Sequence, residues 1–197
     1  MNFHTRIRDV AKPSPERCSG NRVLADRFEC AGPAFFARHA IADLQTWPEQ
    51  ELINLGPIPF PMTSEKPDTH FRSLGWSSVL LALCDALASD VRSVSIVTTR
   101  RWENEAAGIA STLRRFVSAD VDEVRADAWP PRPFSMKHAA GRAAAEGRIV
   151  FVVGDVHASA WCFDSPPALL IHMCERVSGS LLWPAQTSLV LPITSVG

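Results

Sequence analysis

No window of this sequence approaches about 18 continuous apolar residues, so no transmembrane helix is expected. Charge of one sign is also lacking: the formal net charge is −1, and no global field draws the chain to nucleic acid or to an anionic membrane. Five cysteines are present, Cys18, Cys30, Cys84, Cys162 and Cys174, but their number is odd and no spacing is CxxC. That argues against a disulfide framework and makes a reducing cytoplasm the default expectation. Residues 1–21 contain no apolar run, so no secretory signal is expected there. Glycine-rich phosphate loops are missing too: GRAAAEG and GPIP fit neither a P-loop nor GxGxxG. There is no GxSxG, and a Ser, His and Asp relay has no anchor. Tyrosine is absent altogether, which excludes nothing.

What remains is an ordinary soluble composition, 46% apolar and 21% charged, long enough to bury one core. The chain divides into an arm over 1–21, rich in Arg, Lys and Pro, and a single domain over 22–197. The domain is organised around residues 91–160, which read as strand, helix, strand, helix, strand. Residues 94–99 are a β-branched run fit for an inner strand. A helix is predicted over 103–116, with Ala107, Ile109, Leu113 and Phe116 facing inward. VDEVRADAW suits an edge strand. PPRPF reads as a turn, and Ser135 as the N-cap of a helix over 136–146 that Gly147 stops. RIVFVV over 148–153 is the most apolar strand of the chain, and PPALLIHMCERV and TSLVLPITSV are two further strands that pair as neighbours.

Ahead of that core, 22–32 alternates enough for a first strand and a helix follows from Pro33. Five prolines in the 24 residues of 48–71 forbid a long regular element and predict an irregular loop, with Phe60 and Met62 pinning it to its own core. Residues 71–88 are apolar around much of the helical circumference, so a buried helix is expected. Strands alternating with helices define an α/β class with a mostly parallel sheet, Rossmann-like or like one half of a thiolase fold. In such sheets ligands bind at the carboxyl ends of strands, here 98–105 and 154–159.

Among the motifs on those ends, GDVHA (154–158) is similar to the Asp-x-His element of metallophosphoesterases, whose dinuclear metal would deliver a hydroxide. The companion GDxxDR and GNHE segments do not follow, so a tight turn with Asp155 accepting from backbone donors is the reading taken. His157, Cys162, His172 and Cys174 match no common zinc spacing, and His172 with Cys174 suits a core or interface position. No metal and no cofactor is therefore expected. Arg100, Arg101 and Trp102 lie near a helix start, where an anion or plain solvent can sit.

Thr99-Arg100-Arg101-Trp102-Glu103 and Arg132-Pro133-Phe134-Ser135-Met136-Lys137-His138-Ala139-Ala140-Gly141 resemble two segments of the amino-terminal half of ketoacyl synthase-like proteins of the thiolase fold. The likeness covers about residues 22–177. Catalytic members carry a nucleophilic Cys after the second segment, whereas no Cys lies between Pro133 and Val153 here. The resemblance implies a non-condensing accessory protein of acyl or polyketide-type lipid biosynthesis, without catalytic residues, acting through a ketosynthase subunit or an acyl carrier protein as a homo- or heterodimer. A different class of function is a small-ligand or anion-binding α/β domain, a sensor or an enzyme subunit, whose site comprises Arg100, Arg101, Glu103, Asp155 and His157. A third is an inhibitor-type interaction protein with no small ligand.

Overall fold

The computed structural model describes residues 31–89, 91, 93–125, 134–135, 148–156, 161–162 and 166–193. Its centre is one seven-stranded sheet. In chain order the strands are β1 (Met62–Glu65), β2 (Arg72–Ser73), β3 (Ser93–Thr98), β4 (Asp120–Arg125), β6 (Arg148–Val153), β8 (Leu169–Cys174) and β9 (Thr187–Pro192). Two short strands, β5 (Phe134–Ser135) and β7 (Trp161–Cys162), pair in parallel with each other. The main sheet runs β2-β1-β9-β8-β6-β3-β4. From β4 to β9 every pairing is parallel, while β1 joins β9 and β2 joins β1 antiparallel.

The fold is thus α/β with a mostly parallel mixed sheet. Its five parallel strands, taken in chain order, lie in the sequence 2-1-3-4-5. That is the doubly wound arrangement, and the chain reverses its direction of travel between β3 and β6. Parallel strands covered on both faces need continuous apolar runs rather than alternation. Val94, Ile96, Ile149, Phe151, Leu169 and Ile171 point to one face, and Val97, Val150, Val152 and Leu170 to the other.

Among the described residues, five helices flank the sheet: α1 (Pro33–Arg38), α2 (Ile41–Leu44), α3 (Glu49–Asn54), α4 (Trp76–Ala88) and α5 (Glu103–Phe116). Helix α5 crosses from β3 to β4 and buries Ala106, Ala110 and Leu113, one helical row of small and medium side chains. Glu103 and Glu105 in its first turn and Arg114 and Arg115 in its last complement the helix dipole. Arg114 also ties it to β4, pairing with Glu123 at 2.9 Å and donating to the Val121 carbonyl. Helices α1 to α3 cover the antiparallel end, where Phe35, Phe36, Leu44 and Leu52 pack on Met62, Phe71 and Val190. They clasp the turn at Gly179–Leu182: the Glu49 carboxylate accepts from the Gly179 N–H at 3.0 and 3.1 Å, and the Gln45 amide donates to the Leu182 carbonyl.

Several expectations stand. Strands β3, β4, β6, β8 and β9 fall where the sequence puts them, β4 is an edge, and β8 and β9 are neighbours. Met62 is buried, as a pinning residue should be, but Phe60 is exposed. Others need correction. The helix from Pro33 breaks at Ala40, because the Ile41 N–H bonds to the Thr69 carbonyl instead of continuing the helical ladder. The proline-rich stretch is not one irregular loop: Pro57, Pro59 and Pro61 fall between elements, leaving room for α3 and for β1 to enter the sheet. Helix α4 is not buried all round. Val79, Ala82 and Ala86 face the sheet, while Leu80 and Leu81 are 60% and 63% exposed. In α5 the inward row is one position off the expectation at Ala107, and Phe116 points to solvent; Leu113 is buried and Ile109 partly so. Phe134 and Ser135 form strand β5 where a turn and cap are predicted. The arm over 1–21, the strand over 22–30 and the helix over 136–146 lie outside the described residues.

Candidate ligand site at the carboxyl edge of the sheet

The carboxyl ends of β3 and β6 flank the topological reversal, where doubly wound sheets leave a crevice. Here that crevice is filled. After β3, Thr99 leads into a single 3-10 turn, Arg100–Trp102, which turns the Trp102 indole inward. The ring lies directly on the backbone of Gly154, the first residue beyond β6. A Cβ on Gly154 would sit 2.1 Å from Trp102 Cδ1, and the glycine has φ +89°, so both space and backbone require glycine there. Its N–H donates to the Met173 carbonyl at 2.7 Å, and Thr98 Oγ1 donates to the Val153 carbonyl at 3.2 Å. The two strand ends are thereby closed around an aromatic plug.

Immediately beside the plug the edge is open. A cleft of about 820 Å³ lies over the ends of β6, β8 and β9. Its charged lining is Arg101, Asp155, Glu175 and Arg176, and its apolar wall comes from Pro57, Ile58 and Ile193. The wall is held in place by main-chain bonds: Pro57 bridges to Arg176, the Ile58 N–H donates to the Glu175 carbonyl, and the Ile193 N–H to the Cys174 carbonyl. Gly56 at φ +85° provides the turn between α3 and that wall.

Arg101 is 61% exposed at its side chain and stands over the cleft. Its guanidinium lies 5.6 Å from the Trp102 ring centroid and 3.5 Å from the Glu175 carboxylate. Asp155 is partly buried, and its carboxyl is held above the usual carboxylate range. Desolvation is the main cause and the nearby Glu175 adds to it, while the Arg176 backbone N–H and the two guanidiniums of Arg101 and Arg176 oppose it. One Asp155 oxygen is buried without a hydrogen-bond partner. Three residues upstream of Glu175, His172 is 1% exposed inside the sheet, and burial lowers its pKa to about 3. Burial likewise pushes the Cys174 thiol up, out of the range of a useful nucleophile.

Of the residues proposed from sequence, the structure brings Arg101 and Asp155 to one cleft. Arg100 and Glu103 are exposed beside it and do not line it. His157 lies outside the described residues. Glu175 and Arg176 were not foreseen. The same rule that selected 98–105 and 154–159 applies to the end of the third parallel strand, where CERV places both. No cluster of three or more metal-ligating side chains occurs among the described residues, and no described helix is long and apolar enough to cross a membrane.

No family model matches the chain, and no solved structure does. Over 76 residues it is 36% identical to proteins named uncharacterized oxidoreductases in Mycobacterium bovis and in two strains of Mycobacterium tuberculosis. The match covers 37% of this chain and spans about a tenth of each relative's length.

Proposed function

We propose that this chain is a small-ligand-binding α/β domain that holds a phosphate-bearing organic molecule of nucleotide size at the carboxyl edge of its sheet. The observation that carries the reading is the open cleft beside the chain reversal, lined by two arginines and two carboxylates. Its volume of about 820 Å³ falls within the range of small-molecule sites, about 300–1,000 Å³. Arg101 and Arg176 suit phosphate oxygens, and the carboxyl of Asp155 suits a hydroxyl or amine donor of the same molecule. The partial match to proteins named oxidoreductases supports placing that ligand among the substrates or cofactors of a redox reaction. The test is the melting temperature of the protein with ADP, NADP and FMN in turn. At least one is expected to raise it by several degrees, and Arg101→Ala to abolish the rise. An unchanged rise in Arg101→Ala removes this cleft as the site.

The accessory-protein reading draws on the two segments that resemble ketoacyl synthase-like proteins and on the missing cysteine between Pro133 and Val153. It predicts a one-to-one complex with an acyl carrier protein by size-exclusion chromatography. Specific acylation of any of the five cysteines by an acyl donor would count against it.

A further inference from the structure

Arg101 is one of two exposed cations that line the cleft, and it already has partners. On one side it lies over the Trp102 ring, which is buried and seated on Gly154. On the other it meets the Glu175 carboxylate at 3.5 Å, and both residues line the same cleft. The distance is long for a charge-assisted hydrogen bond, and the arginine is well exposed, so the pair is weak. A carboxylate set 3.5 Å from an arginine in the lining of a binding cleft occupies the place that an anionic ligand group would take.

We propose that Glu175 is a built-in competitor for Arg101, displaced when a phosphate group of the ligand enters, and that it sets the preference of the cleft for ligands bearing a polyanionic group. This rests on the ligand-binding reading given above. Before binding, Glu175 holds the guanidinium over the cleft and keeps small monoanions from settling there. A terminal phosphate or pyrophosphate brings more charge and more acceptor oxygens than the single carboxylate and takes the guanidinium from it. Released, Glu175 still stands in the lining, where it repels ligands that place an unpaired second carboxylate nearby. Trp102 is a positioning residue in this scheme: it fixes the direction of Arg101 without touching the ligand.

The experiment is calorimetric titration of the wild-type chain and of Glu175→Gln with ADP, pyrophosphate and acetate. Removing the competitor should tighten ADP and pyrophosphate by about two- to fivefold, the range that an exposed ion pair spans. It should also let acetate bind measurably. Glu175→Ser repeats the test with a smaller side chain, in case the amide disturbs the bond between the Glu175 carbonyl and Ile58. Unchanged or weaker ADP binding in both variants, with Arg101→Ala still abolishing it, overturns the competitor while leaving the site intact. Failure of the wild type to bind any of the phosphate probes overturns the ligand-binding reading itself.

Discussion

Two places lie side by side on the carboxyl edge of one sheet and have opposite character. Between β3 and β6 the crevice left by the chain reversal is occupied, because Trp102 packs down to the backbone of Gly154. Over β6, β8 and β9 the edge is open and charged. Strand β8 shows a similar change within four residues, from His172 sealed in the sheet to Glu175, just past the strand's end, in the cleft. Topology creates the opportunity for a site at a strand reversal. Side-chain volume then decides which part of that opportunity stays empty. In this chain one indole moves the open space sideways by about one strand.

The contrast breaks most visibly at the plug. Trp102→Ala is expected to cost about 3 to 5 kcal/mol, the usual range for truncating a buried Trp. Gly154→Ala should cost about 3 to 4 kcal/mol, combining a clash with the indole and a strained positive φ. The two effects share one contact. In the double variant the clash has no partner left, so the total should fall well short of the sum. Urea midpoints of the four proteins measure this. Strict additivity would mean that the glycine is required for its backbone alone and that Trp102 does not rest on it.

Acid tests the interior of the sheet. His172 titrates near 6.5 when unfolded and at about 3 when folded, so the folded chain resists taking up the proton. Above pH 6.5 both states are neutral and nothing is lost. As pH falls from 6.5 towards 3 the unfolded state binds the proton and the folded state does not, and stability declines across that window. At pH 4 the loss from this residue is on the order of 3 kcal/mol. His172→Leu should remove that share, seen as a shallower fall of the urea midpoint between pH 7 and pH 4. An equal fall in both proteins would mean that His172 reaches solvent.

Much of this edge was legible from sequence, and the parts that were not share a cause. Inner strands such as 148–153 announce themselves because strands buried on both faces need unbroken apolar runs. The rule for strand ends then finds Arg101 and Asp155, and it reaches Glu175 and Arg176 when it is carried to the third strand. The Trp102 plug is a different matter. A tryptophan after a strand reads as equally fit for solvent, partner or core, and only the glycine 52 positions later in the chain, placed beneath it by the β3–β6 pairing, decides. The proline-rich stretch was misread for the same reason: β1 owes its existence to the β9 edge it pairs with, not to any local strand preference. Helix α4 misled in the other direction. Its apolar circumference suggests burial on all sides, but within the described residues the sheet offers it one face.

The smallest effect is expected on the wet side, at Asp155, and it runs opposite in sign to the usual carboxylate. Its carboxyl is raised by desolvation, so the folded chain favours the protonated form. Below the ordinary value of 3.8 the group is protonated in both states and contributes no penalty. As pH rises from 3.8 through the raised folded value the unfolded state gives up its proton first, and stability declines; above that window the loss is constant. Asp155→Asn keeps an acceptor for the Arg176 N–H and carries no charge to desolvate. It should therefore be slightly more stable than the wild type at pH 7 and no different at pH 3. Residues placed for binding rather than folding commonly show this pattern, since the charge that a ligand needs is one the empty fold would rather not hold. A variant less stable at pH 7 would show that the carboxylate serves the fold, tying β6 to the end of β8. The cleft would then retain only its two arginines as charged groups poised for a ligand.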